Sequence, residues 1–295
     1  MREREACNGT ITVRPMPGTL FVVATPIGNL EDITLRALRV LREVDLIAAE
    51  DTRRTAKLLA HYSIPSPTRS FHEHNTRTRI PELLAQLERG ADIALVTDAG
   101  TPGISDPGCE LIRLCGEKGI PIDPVPGACA PLTAAVASGF RLDSLTIFGF
   151  IPVRLKDRKK WLIRARDASG TFTCFETPRR ILKTLSEATL LFGYRPIFIA
   201  REMTKLHQQF IHGSGPDIIG RLTSSKGEFT LVVGPATTAT ADHEPLDEAN
   251  IFNEFDSMAV MAGGRRAAVA ALAKKYGRST KVVYGLIEKH KCSGL

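Results

Sequence analysis

The chain has 295 residues, with 39 Lys and Arg against 32 Asp and Glu, a formal net charge of +7 and six cysteines. That length suits two domains and a sizeable core, and the positive balance is compatible with an anionic partner such as RNA without deciding it. Scattered cysteines with no C-x-x-C pair and no clustered histidines argue against a zinc site and for a reducing cytoplasm, and no apolar run approaches the ~18 residues of a membrane span.

Residues 1–17 are mixed and polar and read as a flexible tail. The first strand is the apolar run Thr19 to Ala24, of the type that a parallel sheet buries on both faces. It ends in Thr25-Pro26-Ile27-Gly28-Asn29-Leu30, after which Glu31 and Asp32 open a helix with Ile33, Leu35, Leu38 and Leu41 near one face. A second strand, Val44 to Ala49, runs directly into the charged cluster Glu50-Asp51-Thr52-Arg53-Arg54-Thr55, placed where α/β proteins face a ligand cleft. The two histidines of Ser70-Phe71-His72-Glu73-His74-Asn75 invite a metal reading, but with no third ligand of suitable spacing they read as polar residues lining a cleft. A helix from Arg79 to Gly90 follows.

The organising stretch comes next. After the strand Asp92 to Val96 stands Thr97-Asp98-Ala99-Gly100-Thr101-Pro102-Gly103-Ile104-Ser105-Asp106-Pro107-Gly108, whose glycines and prolines can continue neither helix nor ladder. The backbone must therefore form a shaped loop with free amides, and its own hydroxyls and carboxylates favour a ligand over a plain surface turn. The helix Glu110 to Lys118 leads to the strand Ile120 to Val125, which breaks at Pro126-Gly127-Ala128-Cys129-Ala130, and a helix of small residues spans Thr133 to Ser138. Strands alternating with helices in this way imply a parallel sheet.

After the strand Leu145 to Gly149, the basic segment Arg154 to Lys160 with Trp161 reads as a hinge between lobes. The second lobe runs strand (Thr171 to Phe175), loop (Glu176 to Arg180), helix (Ile181 to Phe192), strand (Pro196 to Ala200), the stretch Arg201 to Lys205, and a last strand entered through Lys226-Gly227-Glu228-Phe229-Thr230. Gly213-Ser214-Gly215 with Gly220 suggests a nucleotide loop, but Arg221 and Leu222 stand where a P-loop needs Lys and Ser or Thr, so that match fails. Residues 236–249 read as a flexible linker. Two helices, about 265–276 and 280–290, flank Gly277 with Ser279 as N-cap; residues 249–295 carry eight Lys and Arg against three Asp and Glu, as in a small nucleic-acid-binding bundle or a solvated hairpin completing a dimer. The boundaries are thus 1–17, 18–148, 149–235, 236–249 and 250–295.

The motifs at 25–32, 49–53, 97–108 and 126–130 resemble the tetrapyrrole-methylase superfamily, and the likeness extends through 176–180, 201–205 and 226–228. Within it the chain is most similar to a branch that methylates a cytidine ribose 2′-hydroxyl in the decoding region of small-subunit rRNA. The resemblance implies two α/β lobes, the first mostly parallel and the second mixed, with S-adenosylmethionine in the cleft between them, and a homodimer acting on rRNA or the 30S particle. It implies Gly100, Thr101, Pro102, Gly103, Ile104 and Ser105 against the methionine part, with Asp98 also at the cofactor, Ala128, Cys129 and Ala130 nearby and Pro26 beneath. Phe175, Glu176 and the Lys226 to Thr230 turn, with Glu228, Phe229 and Thr230, would approach the adenosine.

A sulfonium methyl is already activated, so no metal is expected, and the enzyme must mainly align the reacting atoms. A ribose hydroxyl still needs a base or a cation beside it. Asp32, Glu50, Asp51, Arg53, Glu202 and Lys205 are the candidates, each at or just after a strand end, and alanine at Asp51 or Arg53 is expected to abolish transfer while cofactor binding survives. Phosphate contacts are expected from Arg36, Arg39, Arg53, Arg54, the Arg154 to Lys160 cluster and the tail. Gln208 and Gln209 stand where an acid is expected after Lys205. A corrin or porphyrin carbon methylase of the same fold, or a non-catalytic ribosome-assembly protein, are the competing readings.

Overall fold

The computed structural model describes residues 16–192, 195–235, 255, 264–275 and 280–293. The chain divides into two compact units, Met1–Ala236 and Thr237–Leu295, and the first carries two five-stranded sheets. In the first lobe β1 (Leu20–Val23), β2 (Leu46–Ala49), β3 (Thr68–Ser70), β4 (Ile93–Val96) and β5 (Ile122–Val125) form an all-parallel sheet in the order β3-β2-β4-β1-β5. Its strands are continuous apolar runs because both faces are covered. Leu20, Val22, Ile93 and Leu95 pack with Leu83 and Leu87 of α3 (Thr76–Glu88) and Leu111 of α4 (Cys109–Glu117). The alternate residues Val23, Ala94 and Val96 pack with Ala37, Val40 and Leu41 of α1 (Leu35–Glu43) and Leu59 of α2 (Thr52–His61).

The expected helix opening at Glu31 starts later. Asn29 instead opens a single 3-10 turn, Leu30–Asp32, by accepting from the Glu31 amide at 3.1 Å; the chain then extends through Ile33, and the Thr34 hydroxyl caps α1 from outside. The His72 stretch is a turn: Asn75 Oδ1 accepts from the His72 amide at 2.9 Å and ties β3 to α3.

β1 and β4 are neighbours whose following helices lie on opposite faces of the sheet. This reversal of winding opens a crevice at their carboxyl ends. The loops after the two strands are joined there, Thr25 and Gly100 exchanging backbone hydrogen bonds of 2.9 Å each way. The fifth helix, α5 (Ala130–Ala137), leaves the first lobe: its Ala134 packs with Phe198, Ala200 and Val232 of the other sheet. Small side chains allow that approach.

In the second lobe β6 (Leu145–Phe150), β7 (Thr171–Glu176), β8 (Ile197–Arg201), β9 (Gln209–Gly213) and β10 (Phe229–Val233) are ordered β6-β7-β10-β8-β9. Only β6 and β7 run parallel; the other pairs are antiparallel. Because β6 pairs with β7, the second sheet begins before the expected 148/149 boundary. The basic hinge is a helix, α6 (Leu155–Asp167), with Trp161 and Ala165 buried one turn apart beneath an exposed basic face. The Gly213-Ser214-Gly215 stretch joins β9 to a helix, α9 (Gly215–Arg221), whose N-terminus is closed by a reciprocal Ser214–Asp217 capping box. Between β7 and β8 run α7 (Ile181–Ser186) and α8 (Ala188–Phe192).

In the second unit, α10 (Arg265–Lys275) and α11 (Thr280–Ser293) share a small core of Phe255, Ala268, Leu272, Val283 and Ile287, with an Arg265–Glu288 ion pair at 2.7 Å. Residues 1–15 of the expected tail, the linker 236–249, and the turn at Gly277 with Ser279 lie outside the described residues. Among the described residues no helix is long and apolar enough to cross a membrane.

Candidate active site

The loop after β4 is shaped by backbone conformations that most residues avoid. Gly100 and Gly103 sit at φ +84° and +86°, Gly108 at +138°, and Ser105 at +66° despite its side chain. A Cβ on Gly108 would stand 2.9 Å from Leu95 Cδ2, so that glycine also permits the return to α4. Thr25 Oγ1 donates to the Thr97 carbonyl at 3.1 Å and Thr101 Oγ1 to the Ala128 carbonyl at 3.0 Å, pinning the loop at both ends. Among the described residues the amides of Thr101, Gly103, Ser105 and Asp106 donate to no protein acceptor. They are available to a ligand anion.

This loop forms one wall of a cavity of about 690 Å³ between the two lobes. On the same wall stand Ile27, Glu50 after β2, and Arg54 of α2, while Cys129, Ala130 and Pro131 at the start of α5 join the two sides. The opposite wall is built by Phe150, Phe175 to Pro178, Ala200, Glu202, Met203 and Gly227 to Thr230. Phe150 and Phe175 are tilted against each other with centroids 5.2 Å apart and present an apolar face. Ser105 reaches across to β6, where a side chain on Gly149 would lie 2.9 Å from its hydroxyl.

Charge is distributed unevenly over these walls. On the second lobe Glu176 is wholly buried but accepts from Thr184 Oγ1, the Thr177 amide and the Arg180 guanidinium, each at 2.7 Å. Glu202, at φ +49°, accepts from the Glu228 amide at 2.8 Å, and Lys205 Nζ bridges Glu202 at 2.9 Å and Glu228 at 3.0 Å. Burial works to raise the Glu202 carboxyl, but the Glu228 amide and Lys205 together hold it below its usual value; Lys205 is raised, since its two carboxylates outweigh its own burial. Gly227 makes this closeness possible: a Cβ there would lie 2.6 Å from Glu202 Cγ. On the first lobe Glu50 accepts from the Asp98 amide at 3.2 Å, and Asp98 accepts from the Asp51 amide at 3.0 Å with Arg54 at 3.4 Å. Burial raises the Glu50 carboxyl, and the Asp98 charge adds to it. Asp106 is pushed up to about 7 by burial and then by the Glu50 and Asp98 charges.

Of the expected cofactor residues, Asp98, Gly100, Thr101, Ile104, Ser105, Cys129, Ala130, Phe175, Glu176, Glu228, Phe229 and Thr230 line the cavity. Pro26, Pro102, Gly103 and Ala128 are absent from its walls and shape the loops behind them. Of the six candidates for the chemistry, Glu50 and Glu202 reach the cavity, and four do not. Asp32 is exposed in the 3-10 turn. Asp51 is the N-cap of α2, accepting from the Arg53 amide at 2.9 Å, and hydrogen bonds from Arg53 lower its carboxyl to about 2. The Arg53 side chain is 87% exposed and turned back onto Asp51 at 2.8 Å. Lys205 stands behind Glu202 and Glu228 rather than on the wall. Gln208, found where an acid was expected, accepts from the Thr204 amide at 3.1 Å and closes the turn in which Thr204 has φ +64°. Gln209 holds Thr223 and the Arg221 carbonyl.

Sequence reasoning missed Phe150, whose strand runs one residue past Gly149, and Met203 and Asp106 as cavity residues, whereas Gly227 belongs to the turn expected at the adenosine. Asp106 was legible as a carboxylate within the organising loop, but only the fold shows which way that loop faces. Arg36 and Arg39, expected at phosphates, pair with Asp123 at 2.5 Å and Glu43 at 2.8 Å. Among the described residues no three His, Cys, Asp or Glu side chains gather as metal ligands.

Residues 19–219 match the family model for tetrapyrrole (corrin/porphyrin) methylases. The ribosomal RNA small subunit methyltransferase I of Synechocystis sp. is 43% identical over 272 residues, covering 91% of this chain and 97% of that one. The chain belongs to this methyltransferase family. The Thermotoga maritima member is 48% identical over 218 residues, 73% of this chain and 98% of that relative. Uroporphyrin-III C-methyl transferase from Thermus thermophilus, solved complexed with S-adenyl homocysteine, shares the fold at TM-score 0.51 and 16% identity, covering 73% of this chain and 97% of that one.

Proposed function

We propose that this methyltransferase moves the methyl group of S-adenosylmethionine to the 2′-hydroxyl of a cytidine ribose in small-subunit rRNA, working in the cytoplasm as a homodimer on the 30S particle. The observation that carries the reading is the cavity between the lobes, walled on one side by a loop in which Thr101, Ser105 and Asp106 keep unbonded amides and on the other by an apolar aromatic face. Free amides on this loop suit a carboxylate, and Phe150 with Phe175 suits a flat base, so the two ends of an amino acid linked to a nucleoside fit opposite walls. Glycines at 100 and 103 supply the positive φ that shapes the loop, and Gly227 leaves room for Glu202 beside the second-lobe wall.

When bound, S-adenosylmethionine supplies a methyl group already activated by a positively charged sulfur. The protein's task is then to hold donor and acceptor in line and to exclude water, a contribution of order 7–11 kcal/mol when alignment is good. Acidic residues on the first-lobe wall favour a cationic centre, while Arg54 at the rim, with its side chain 64% exposed, is placed to meet a phosphate. A spread single strand presents its ribose more readily than a duplex.

Incubation with labelled S-adenosylmethionine and 30S particles, followed by mass spectrometry of the rRNA, tests the reading. A methylated ribose at one cytidine is the expected product; transfer to a corrin precursor instead, or no transfer to RNA, would overturn it. RNA affinity should fall steeply as salt rises.

A further inference from the structure

Building on the ribose-methylation reading, we propose that Asp106 is the general base that takes the proton from the attacking 2′-hydroxyl. Six carboxylates line the cavity: Glu50, Asp98, Asp106, Glu176, Glu202 and Glu228. Five are engaged. Glu50 and Asp98 accept backbone amides, Glu176 is held by Arg180 and Thr184, and Glu202 and Glu228 share Lys205. Asp106 alone of the six accepts no hydrogen bond and faces no cation within ion-pairing distance among the described residues. A base needs a lone pair free to accept and a pKa near the working pH, and donors remove both. Asp106 has the first by geometry, and half-burial beside Glu50 and Asp98 brings its pKa to about 7. It also sits one residue beyond Ser105, and both line the same cavity wall, so its reach is set by the backbone of that loop.

As the ribose oxygen bonds to the methyl carbon, the carbon–sulfur bond breaks with its electron pair returning to sulfur, which becomes a neutral thioether. Asp106 accepts the hydroxyl proton in that step and releases it to solvent before the next turnover. The charges that act on it are Glu50 and Asp98; the cavity's other charged lining groups are Arg54 on its own lobe and Glu176, Glu202 and Glu228 opposite, with Arg180 and Lys205 behind those three acids.

The test combines three readouts. Carbon-13 NMR of the free protein should show the Asp106 carboxyl titrating near pH 7, and a value below 5 overturns the proposal. In methyl transfer to 30S particles, Asp106→Asn should lose roughly 10²–10⁴-fold in kcat/KM and lose the rise of wild-type kcat/KM through pH 7. Asp106→Glu should recover at least part of the rate and keep that rise. Calorimetry should find S-adenosylmethionine affinity in Asp106→Asn within about threefold of wild type; a cofactor-binding loss that accounts for the rate loss would make Asp106 a cofactor ligand and end the proposal. Wild-type transfer matched by Asp106→Asn removes Asp106 alone, whereas wild-type protein that methylates no rRNA removes the functional reading and this proposal together.

Discussion

The two walls of the cavity carry three carboxylates each and treat them in opposite ways. On the second lobe, Arg180 and Lys205 and a set of hydroxyl and amide donors neutralise Glu176, Glu202 and Glu228, so these acids act as scaffold. On the first, one exposed arginine, Arg54, pairs with Asp98 and acts on Glu50 but not on Asp106, and Glu50 and Asp106 are raised by burial and by neighbouring acids. Like charges gathered without compensation cost stability in the free protein, and they are kept where a proton or a cation is to be received. Counting acids would not separate the walls; counting their donors does.

The largest effect should come from breaking the compensated wall. Glu176→Ala leaves the Arg180 guanidinium and the Thr184 hydroxyl without their partner, and a loss of about 3–5 kcal/mol in urea unfolding is expected. On the uncompensated wall the sign reverses. Since the folded protein holds the Asp106 proton up to about pH 7 and the unfolded chain releases it near the ordinary value of 3.8, this group's stabilisation is fully present below 3.8 and is lost as pH rises through 7. Asp106→Asn should therefore gain on wild type by about 1–2 kcal/mol between pH 4 and pH 8, a figure discounted for solvent screening and read from unfolding curves across that range.

A smaller shift is expected from Lys205→Met. Glu202 is depressed, so its contribution is present above about pH 4.5 and disappears as pH falls. Without Lys205 the acid-unfolding midpoint should rise by about half a pH unit, as followed by circular dichroism. The smallest effect sharpens the division between wall and exterior: Arg53→Ala should leave methyl transfer within about twofold and stability within ~0.5 kcal/mol, because an exposed pair contributes little. A hundredfold loss of transfer in that variant would return Arg53 to the chemistry.

What the sequence determined by itself was local. Unbroken apolar runs such as Leu20–Val23 and Ile93–Val96 specify strands buried on both faces, and the glycines and prolines between Thr97 and Gly108 specify a loop with exposed amides, because those properties belong to short stretches of backbone. Tertiary structure decided the rest. Asp51 and Arg53 look as catalytic as Glu50 in one dimension, yet one α-helical turn sends their side chains into a cap and an outer ion pair. Asp106 looks like any loop carboxylate until folding places Glu50 and Asp98 beside it and leaves it no donor. A carboxylate's proton affinity depends on charges, hydrogen bonds and water excluded within a few ångströms, and those neighbours are brought from β2, β4 and the second lobe only when the chain closes on itself.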